Sequence, residues 1–386
     1  MKALKRLSLV TLFLSLALLP MKAQEIRDAI RNGDLAKVKE MVEADPQLAV
    51  SKIDRNNTPL HIAARNNQLE IAKYLVVKGA DVNAVSKYQG TPLDLAIEAG
   101  NKEIIGYLES TGGKATDMPL ETKKINENLL RITFPYGMRN NLVAFRGTDG
   151  IMLIESGFGK RTVEAIRKTV NDFDKGQISL VINTHSHGDH VMGNKYLAPS
   201  DSAVIGSGKI REGRTGNRIK KAGKILAGRS GKNLPYQYDM KFNGQDIVFF
   251  PYPGLHSEED LLIYFPQSKV LCMGDLLLSE NCPAINGNVI GYIDFLDRII
   301  DIFPDDCTFI SGHGKDIDYA GLRKYRNDLF NMTAIVRREF KNGSTADEMI
   351  RADILKTYRN EYSFLDWLDP DFWINVVCND LKAGRL

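Results

Sequence analysis

Thr184-His185-Ser186-His187-Gly188-Asp189-His190 is the stretch on which the reading of this chain turns. It sets three imidazoles and a carboxylate directly behind the apolar run Ile178-Ser179-Leu180-Val181-Ile182-Asn183. A short, β-branched apolar run is the mark of a strand buried on both faces, so these side chains stand on the loop leaving a rigid strand. His185 and His187 are two apart and point the same way if the backbone stays extended. Gly188 is then expected to let the chain turn sharply enough to bring Asp189 and His190 back to the same point. Neutral imidazole with carboxylate is a donor set for zinc, with iron or manganese as alternatives. The competing reading is a polar loop that happens to carry histidine, yet the chain has only six histidines and three of them fall here.

Outward from this loop the same arrangement recurs. His256 follows Pro253-Gly254, Asp275 follows Gly274 at the end of the apolar run 270–273, and His313 stands between Gly312 and Gly314 after the run 308–310. A strand end supplies rigidity, and a glycine leaves room for a metal. Residues 246–250 and 261–265 are strand-like, and 141–145 with 151–155 are apolar runs joined across Gly147-Thr148-Asp149-Gly150, a hairpin signal. A helix is expected over 162–173. A long one carries Leu322, Tyr325, Leu329, Met332, Val336 and Phe340 at three- and four-residue steps and stops at Asn342-Gly343. Thr345 with Glu348 has the form of a capping box, Asp369-Pro370 opens a last helix, and Trp367, Phe372 and Trp373 are expected in the core. Strands alternating with helices indicate an α/β or α+β domain.

Taken together, His185-x-His187-x-Asp189-His190, His256, Asp275 and Gly312-His313-Gly314 resemble the metallo-β-lactamase superfamily in order, in spacing and in placement after strands. The resemblance covers residues from about 120 to 386. It implies an α+β fold, an αββα sandwich with metals at one rim of the two packed sheets. It also implies roles: His185, His187 and His256 on a first metal, Asp189, His190 and His313 on a second, and Asp275 bridging both. Two Zn2+ ions so held share a hydroxide and polarise a carbonyl or phosphoryl oxygen, with Asp189 the catalytic carboxylate that orients the nucleophile. The β-lactamases that use a cysteine on the second metal have it where Asp275 stands, and other true β-lactamases lack an acidic residue there. With His190 and Asp275 both present, this chain is closer to the thioesterase, lactonase and phosphodiesterase branches. It departs from the superfamily at Glu155, where a strand-terminal aspartate is usual. The segment from His256-Ser257-Glu258-Glu259-Asp260 through Tyr264-Phe265-Pro266 is similar to that of many secreted hydrolases of this superfamily.

The region before residue 114 follows a different rule. Thr58-Pro59-Leu60-His61-Ile62-Ala63-Ala64 recurs as Thr91-Pro92-Leu93-Asp94-Leu95-Ala96-Ile97, a step of 33 residues, and each copy is followed by a second helical stretch, 69–78 and 102–110. A worn copy spans 26–43. Length and signature resemble the ankyrin repeat, and about three copies make a short all-α array near the minimum that buries a shared core. His61 is read as the repeat's own turn histidine. Such arrays bind or pack, so a protein partner is expected there.

At 386 residues the chain exceeds one ordinary core. Lys2, Lys5 and Arg6, then apolar residues 7–19, then Pro20 and Ala23 give the order of a signal peptide, too short to span a bilayer comfortably. The expected organisation is signal peptide 1–23, repeats 24–113, linker 114–120 and catalytic domain 121–386, in a bacterial periplasmic or secreted protein with no stable membrane insertion once the signal is cleaved. Cleavage removes Lys2, Lys5, Arg6 and Lys22 and takes the formal charge from +3 to −1. No pair among Cys272, Cys282, Cys307 and Cys378 is spaced Cys-x-x-Cys, which excludes a zinc ribbon; Cys272 is expected as a buried thiol. Residues 209–232 carry nine basic side chains and one acidic. They have no interleaved aromatics to stack bases, so a solvated segment is favoured and nucleic acid disfavoured. The expected activity is hydrolysis of a small-molecule ester, thioester, lactone or amide. Its rivals are a phosphodiesterase or nuclease, a true β-lactamase, and a repeat-mediated binding protein with a vestigial metal site.

Overall fold

The computed structural model describes residues 22–53, 57–86, 90–116, 120–135, 137–197, 203–206, 238–285 and 287–386. Most of the signal-peptide stretch and the whole basic segment 209–232 lie outside them. The chain divides into two compact units. One runs to Pro119 and takes in Pro135–Gly137; the other holds Leu120–Phe134 and Met138–Leu386.

The first unit is helical. Residues 22–31 pair with Leu35–Ala44, Pro59–Arg65 with Leu69–Val77, and Pro92–Ala99 with Lys102–Ser110. Each Thr-Pro-Leu start works because threonine caps the helix from an extended backbone and proline supplies a helical φ where no N–H is needed. His61 is buried, with Nδ1 2.8 Å from Thr58 Oγ1 and Nε2 3.1 Å from the Gly90 carbonyl of the next copy. Burial pushes its pKa down to about 4, as suits a neutral turn histidine. Asp94 takes the equivalent place in the following copy and accepts from the Thr91 backbone N–H at 2.8 Å. It also accepts from the Thr116 hydroxyl at 2.6 Å, so the chain just past the array is bonded back onto it.

The second unit contains two sheets among the described residues. The first runs in order β1 (Glu121–Lys124), β2 (Leu129–Thr133), β3 (Asn141–Gly147), β4 (Gly150–Ile154), β5 (Ile178–Asn183) and β6 (Ala203–Gly206). The second is ordered β11 (Thr308–Ser311), β10 (Val270–Gly274), β9 (Leu261–Phe265), β8 (Gln245–Pro251) and β7 (Tyr238–Phe242). Alternation along the strands explains the layering. Val143, Phe145, Met152, Ile154, Leu180 and Ile182 of the first sheet share one core with Ile247, Phe249, Ile263, Phe265, Cys272 and Ile310 of the second. Val248, Phe250, Leu262, Leu271 and Phe309 point the other way, into a core with helices Val289–Ile302, Tyr319–Lys341 and Pro370–Lys382. Helix Lys160–Phe173 buries Val163, Ile166 and Val170. The result is the α+β sandwich of two sheets between helical layers, following an all-α array in the chain.

β4, β5 and β6 are parallel, as are β10 and β11. The C-terminal ends of β5, β10 and β11, the strands that lead into the polar motifs, come together at one rim, where the Leu261 N–H donates to the Thr184 carbonyl at 2.8 Å. Some details differ from expectation. Trp373 is fully buried, but Trp367 and Phe372 are half-buried. All four cysteines are free and buried, Cys272 as expected.

Candidate metal centre

β5 ends at Asn183; the chain bends at Thr184 and His185 and, after the extended His187 at the N-cap position, closes into one helical turn, Gly188–Val191. That turn brings Asp189 and His190 back beside His185. Gly188 is absent from the positive-φ glycines, so helix formation and not glycine's conformational freedom folds the motif back. His256 sits in the β8–β9 connection, its loop fixed by the buried Asp260, which accepts from the backbone N–H of His256 at 3.0 Å and of Ser257 at 2.8 Å. Asp275 leaves β10 and His313 leaves β11.

All seven predicted residues converge. Donor atoms of His185, His187, His256 and Asp275 form one group within 4.8 Å of one another, and those of Asp189, His190 and His313 form a second. Asp275 joins them. Its Oδ2 is 3.7 Å from His185 Nε2 and 3.5 Å from His256 Nε2, while its Oδ1 is 3.3 Å from both His190 Nε2 and His313 Nε2. Asp189 Oδ2 closes the second group at 3.4 Å from His190 Nε2 and 3.3 Å from His313 Nε2.

The outward edges of the rings are pinned. His313 Nδ1 donates to the Met138 carbonyl at 2.9 Å, and His256 Nδ1 to the Ala284 carbonyl at 2.8 Å. His185 Nδ1 lies 3.1 Å from Thr184 Oγ1; His190 Nδ1 has the Glu155 carboxylate 3.4 Å away but makes no hydrogen bond to it. In His313, His256 and His185 Nε2 is left facing inward, the arrangement by which an outer partner fixes a ligating tautomer. His187 presents Nδ1 instead, 3.0 Å from His256 Nε2. Glu155 holds its place in the left-handed region, with φ +69°. Its carboxylate accepts from the Thr184 N–H at 3.0 Å and reaches both His190 and the Thr184 turn across its longer side chain.

Neighbours split the imidazoles into two states. Burial, then the adjacent His190, pushes His185 down to about 2, and burial with His256 lowers His187. Burial also opposes charge on His190 and His313, but Asp189 and Asp275 overcome it. They raise His190 well above its ordinary value and His313 to about 9. Burial disfavours ionisation of the two carboxyls, yet the imidazoles hold Asp189 and Asp275 well below the usual carboxylate range.

A metal pair fits these residues. His185 Nε2, His190 Nε2 and Asp275 Oδ1 are buried without a hydrogen-bond partner, an arrangement costly unless something else satisfies them. A tetrahedral zinc with bonds of about 2.05 Å has donor-to-donor edges of about 3.3 Å. The Asp275-centred separations, 3.3 to 3.7 Å, match that edge. Three contributors to the site were not assigned to it from the sequence: Asp260, Asn141, which donates to the Ser311 and Gly314 carbonyls at 2.8 Å each, and Asn140, which donates to Asp189 Oδ2 at 2.9 Å. An Asn-Asn pair opening an apolar run was visible, but its targets lie far along the chain.

Comparison with known proteins agrees with the architecture. The family model for the metallo-beta-lactamase superfamily matches residues 136–333, and that for ankyrin repeats matches 26–117 in three copies. Among solved structures, the sec-alkylsulfatase Pisa1 from Pseudomonas sp. superposes with a TM-score of 0.51 at 16% identity, over 67% of this chain and 49% of that one. A metallo-beta-lactamase from Pontibacter korlensis gives a TM-score of 0.44 at 20% identity, over 55% of this chain and 99% of that one. The serine/threonine-protein kinase VIK of Arabidopsis thaliana is 38% identical over 81 residues, which are 21% of this chain and 18% of the kinase. The chain thus spans under a fifth of that curated relative and about half of the sulfatase.

Proposed function

This chain belongs to the metallo-beta-lactamase superfamily of metal-dependent hydrolases, and we propose that it is an exported binuclear zinc enzyme that hydrolyses an ester, thioester, lactone or amide carbonyl. The observation that carries the two-metal reading is Asp275, whose two oxygens face two separate groups of imidazoles. His185, His187 and His256 would hold the first ion, Asp189, His190 and His313 the second, and Asp275 both. When bound, the pair supplies a water nucleophile at neutral pH and a Lewis acid for the substrate oxygen.

The protein's own groups do the rest. Asp189 stays ionised beside the imidazoles and is placed to orient the water and accept its proton. The outer hydrogen bonds of His256 and His313 keep their Nε2 atoms aimed inward. His187 is exposed and the Asp189 side chain partly so, whereas His185, His190 and His313 are buried. Substrate therefore approaches from the His187 and Asp189 side. Export rests on the signal-like order of residues 1–23, and the repeats would serve a protein partner.

The test is elemental analysis of protein purified without chelator, joined to a panel of aryl ester, thioester, lactone, nitrocefin, bis(p-nitrophenyl) phosphate and a secondary alkyl sulfate. About two zinc equivalents per chain and turnover of a carbonyl substrate are expected. Asp189→Asn should lower kcat by roughly 10²- to 10⁴-fold with little change in Tm. One firm metal equivalent, or turnover confined to the phosphodiester or sulfate ester, would overturn the proposal.

A further inference from the structure

The four residues Met138–Asn141, just before and at the start of β3, form a strap across the second group of donors. Three of them bind the His313 loop. The Met138 carbonyl accepts from His313 Nδ1 at 2.9 Å, the Arg139 carbonyl from the Gly314 N–H at 3.1 Å, and the Asn141 N–H donates to the Gly312 carbonyl at 2.9 Å. Asn140 turns the other way. Its side chain reaches the β5 loop, and Nδ2 donates to Asp189 Oδ2 at 2.9 Å.

Asn140 is 1% exposed, and its Oδ1 is a buried acceptor without a hydrogen-bond partner. A buried amide that leaves its oxygen unpaired while its N–H₂ is engaged is held there by the donor side. The orientation is set by chemistry, since an ionised carboxylate only accepts and the reversed amide would set oxygen against oxygen. The oxygen it binds also faces His190 Nε2 and His313 Nε2. One lone pair of Oδ2 is occupied by the amide, so the other is directed at the point shared with the two imidazoles.

We propose that Asn140 is a positioning residue for the second metal: by holding Asp189 Oδ2 through its side-chain N–H, it makes loading of the Asp189, His190 and His313 group depend on the 138–141 strap. The inference rests on the two-metal reading above. Removal of an outer hydrogen bond to a ligand typically costs about 10- to 100-fold in metal affinity. The Asn140 side chain hydrogen-bonds Asp189 alone among the seven predicted ligands, and its backbone bridges to His313 of the same group, so loss of the side-chain bond falls on one site.

The full chain carrying Asn140→Leu, similar in shape without a donor, or Asn140→Ser, polar but too short to reach, is equilibrated in graded zinc buffers. Zinc per chain, the absorption of the cobalt-substituted protein and the Tm of the metal-free protein are recorded. Expected are an unchanged first equivalent, a second weakened by about 10- to 100-fold, loss of the second site's cobalt bands, and an unchanged metal-free Tm. Wild-type affinity for both equivalents in both variants overturns the proposal while leaving the two-metal reading standing. Equal weakening of both sites, or a collapsed metal-free Tm in both variants, makes Asn140 a packing residue and overturns it as well. A wild-type chain that takes one ion sinks the two-metal reading and this inference together.

Discussion

His185 and His313 stand on either side of one carboxylate, Asp275, and yet sit at opposite ends of the imidazole range, about 2 and about 9. The difference is local: burial with imidazole neighbours depresses the first, and two carboxylates outweigh burial for the second. Near neutral pH His185 and His187 of the metal-free first group are therefore deprotonated, while His190 and His313 hold protons that a metal must displace. Binding there is proton-linked. The sign follows directly: a raised pKa keeps the proton on until pH passes it, so second-site affinity should climb with pH through about 9, where His313 loses its proton. First-site affinity should depend less on pH over the same range, since His185 and His187 are shifted down. Calorimetric titration at pH 7.5 in buffers of different ionisation enthalpy should report about two protons released with the second ion and fewer with the first. Equal release from both would show that the two groups are not electrostatically distinct.

The strand ends carry the next level of constraint, and two glycines define it. Gly274 has φ +53°, and a Cβ there would lie 2.3 Å from Thr184 Oγ1. A Cβ on Gly312 would stand 2.1 Å from Asp275 Oδ1 and 2.7 Å from the Gly274 carbonyl carbon. The space that Gly312 leaves is filled by the Asp275 carboxylate itself, where the sequence suggested room for a metal. Gly312→Ala should therefore swing Asp275 away and weaken both zinc equivalents by roughly 10- to 100-fold; retention of both in a zinc-buffer titration would refute the crowding. What was legible beforehand follows from the same scale. β5, β8, β9 and β10 announced themselves because burial on one or both faces writes apolar runs into the sequence. β1 did not: Glu121-Thr122-Lys123-Lys124 is exposed throughout at a sheet edge, where charge discourages pairing with other chains and erases the apolar pattern. The seven metal-type residues were legible as strand-end polar motifs. Asn140 was not, because its value lies in Asp189, a partner 49 positions away.

At the scale of the molecule, each unit closes its own core. The helical array buries residues between Ile26 and Leu108, and the sandwich buries its own between Leu129 and Cys378. Every predicted ligand, from His185 to His313, belongs to the second unit. A fold whose apolar residues are satisfied within one unit does not need the other to exclude water. A chain beginning at Leu120 should accordingly fold, melt cooperatively and take about two zinc equivalents. Ankyrin-type arrays depend on neighbours to cover their ends, so the isolated first unit, with its three copies, is expected to be the less stable half. The test is kinetic as well as structural. With a substrate found in the panel, unchanged kcat/KM in the shortened chain assigns the repeats to docking, whereas a fall of tenfold or more at full metal content would make them part of the working enzyme. Insolubility of the shortened chain, with full activity in the intact one, would show that the sandwich does not fold alone.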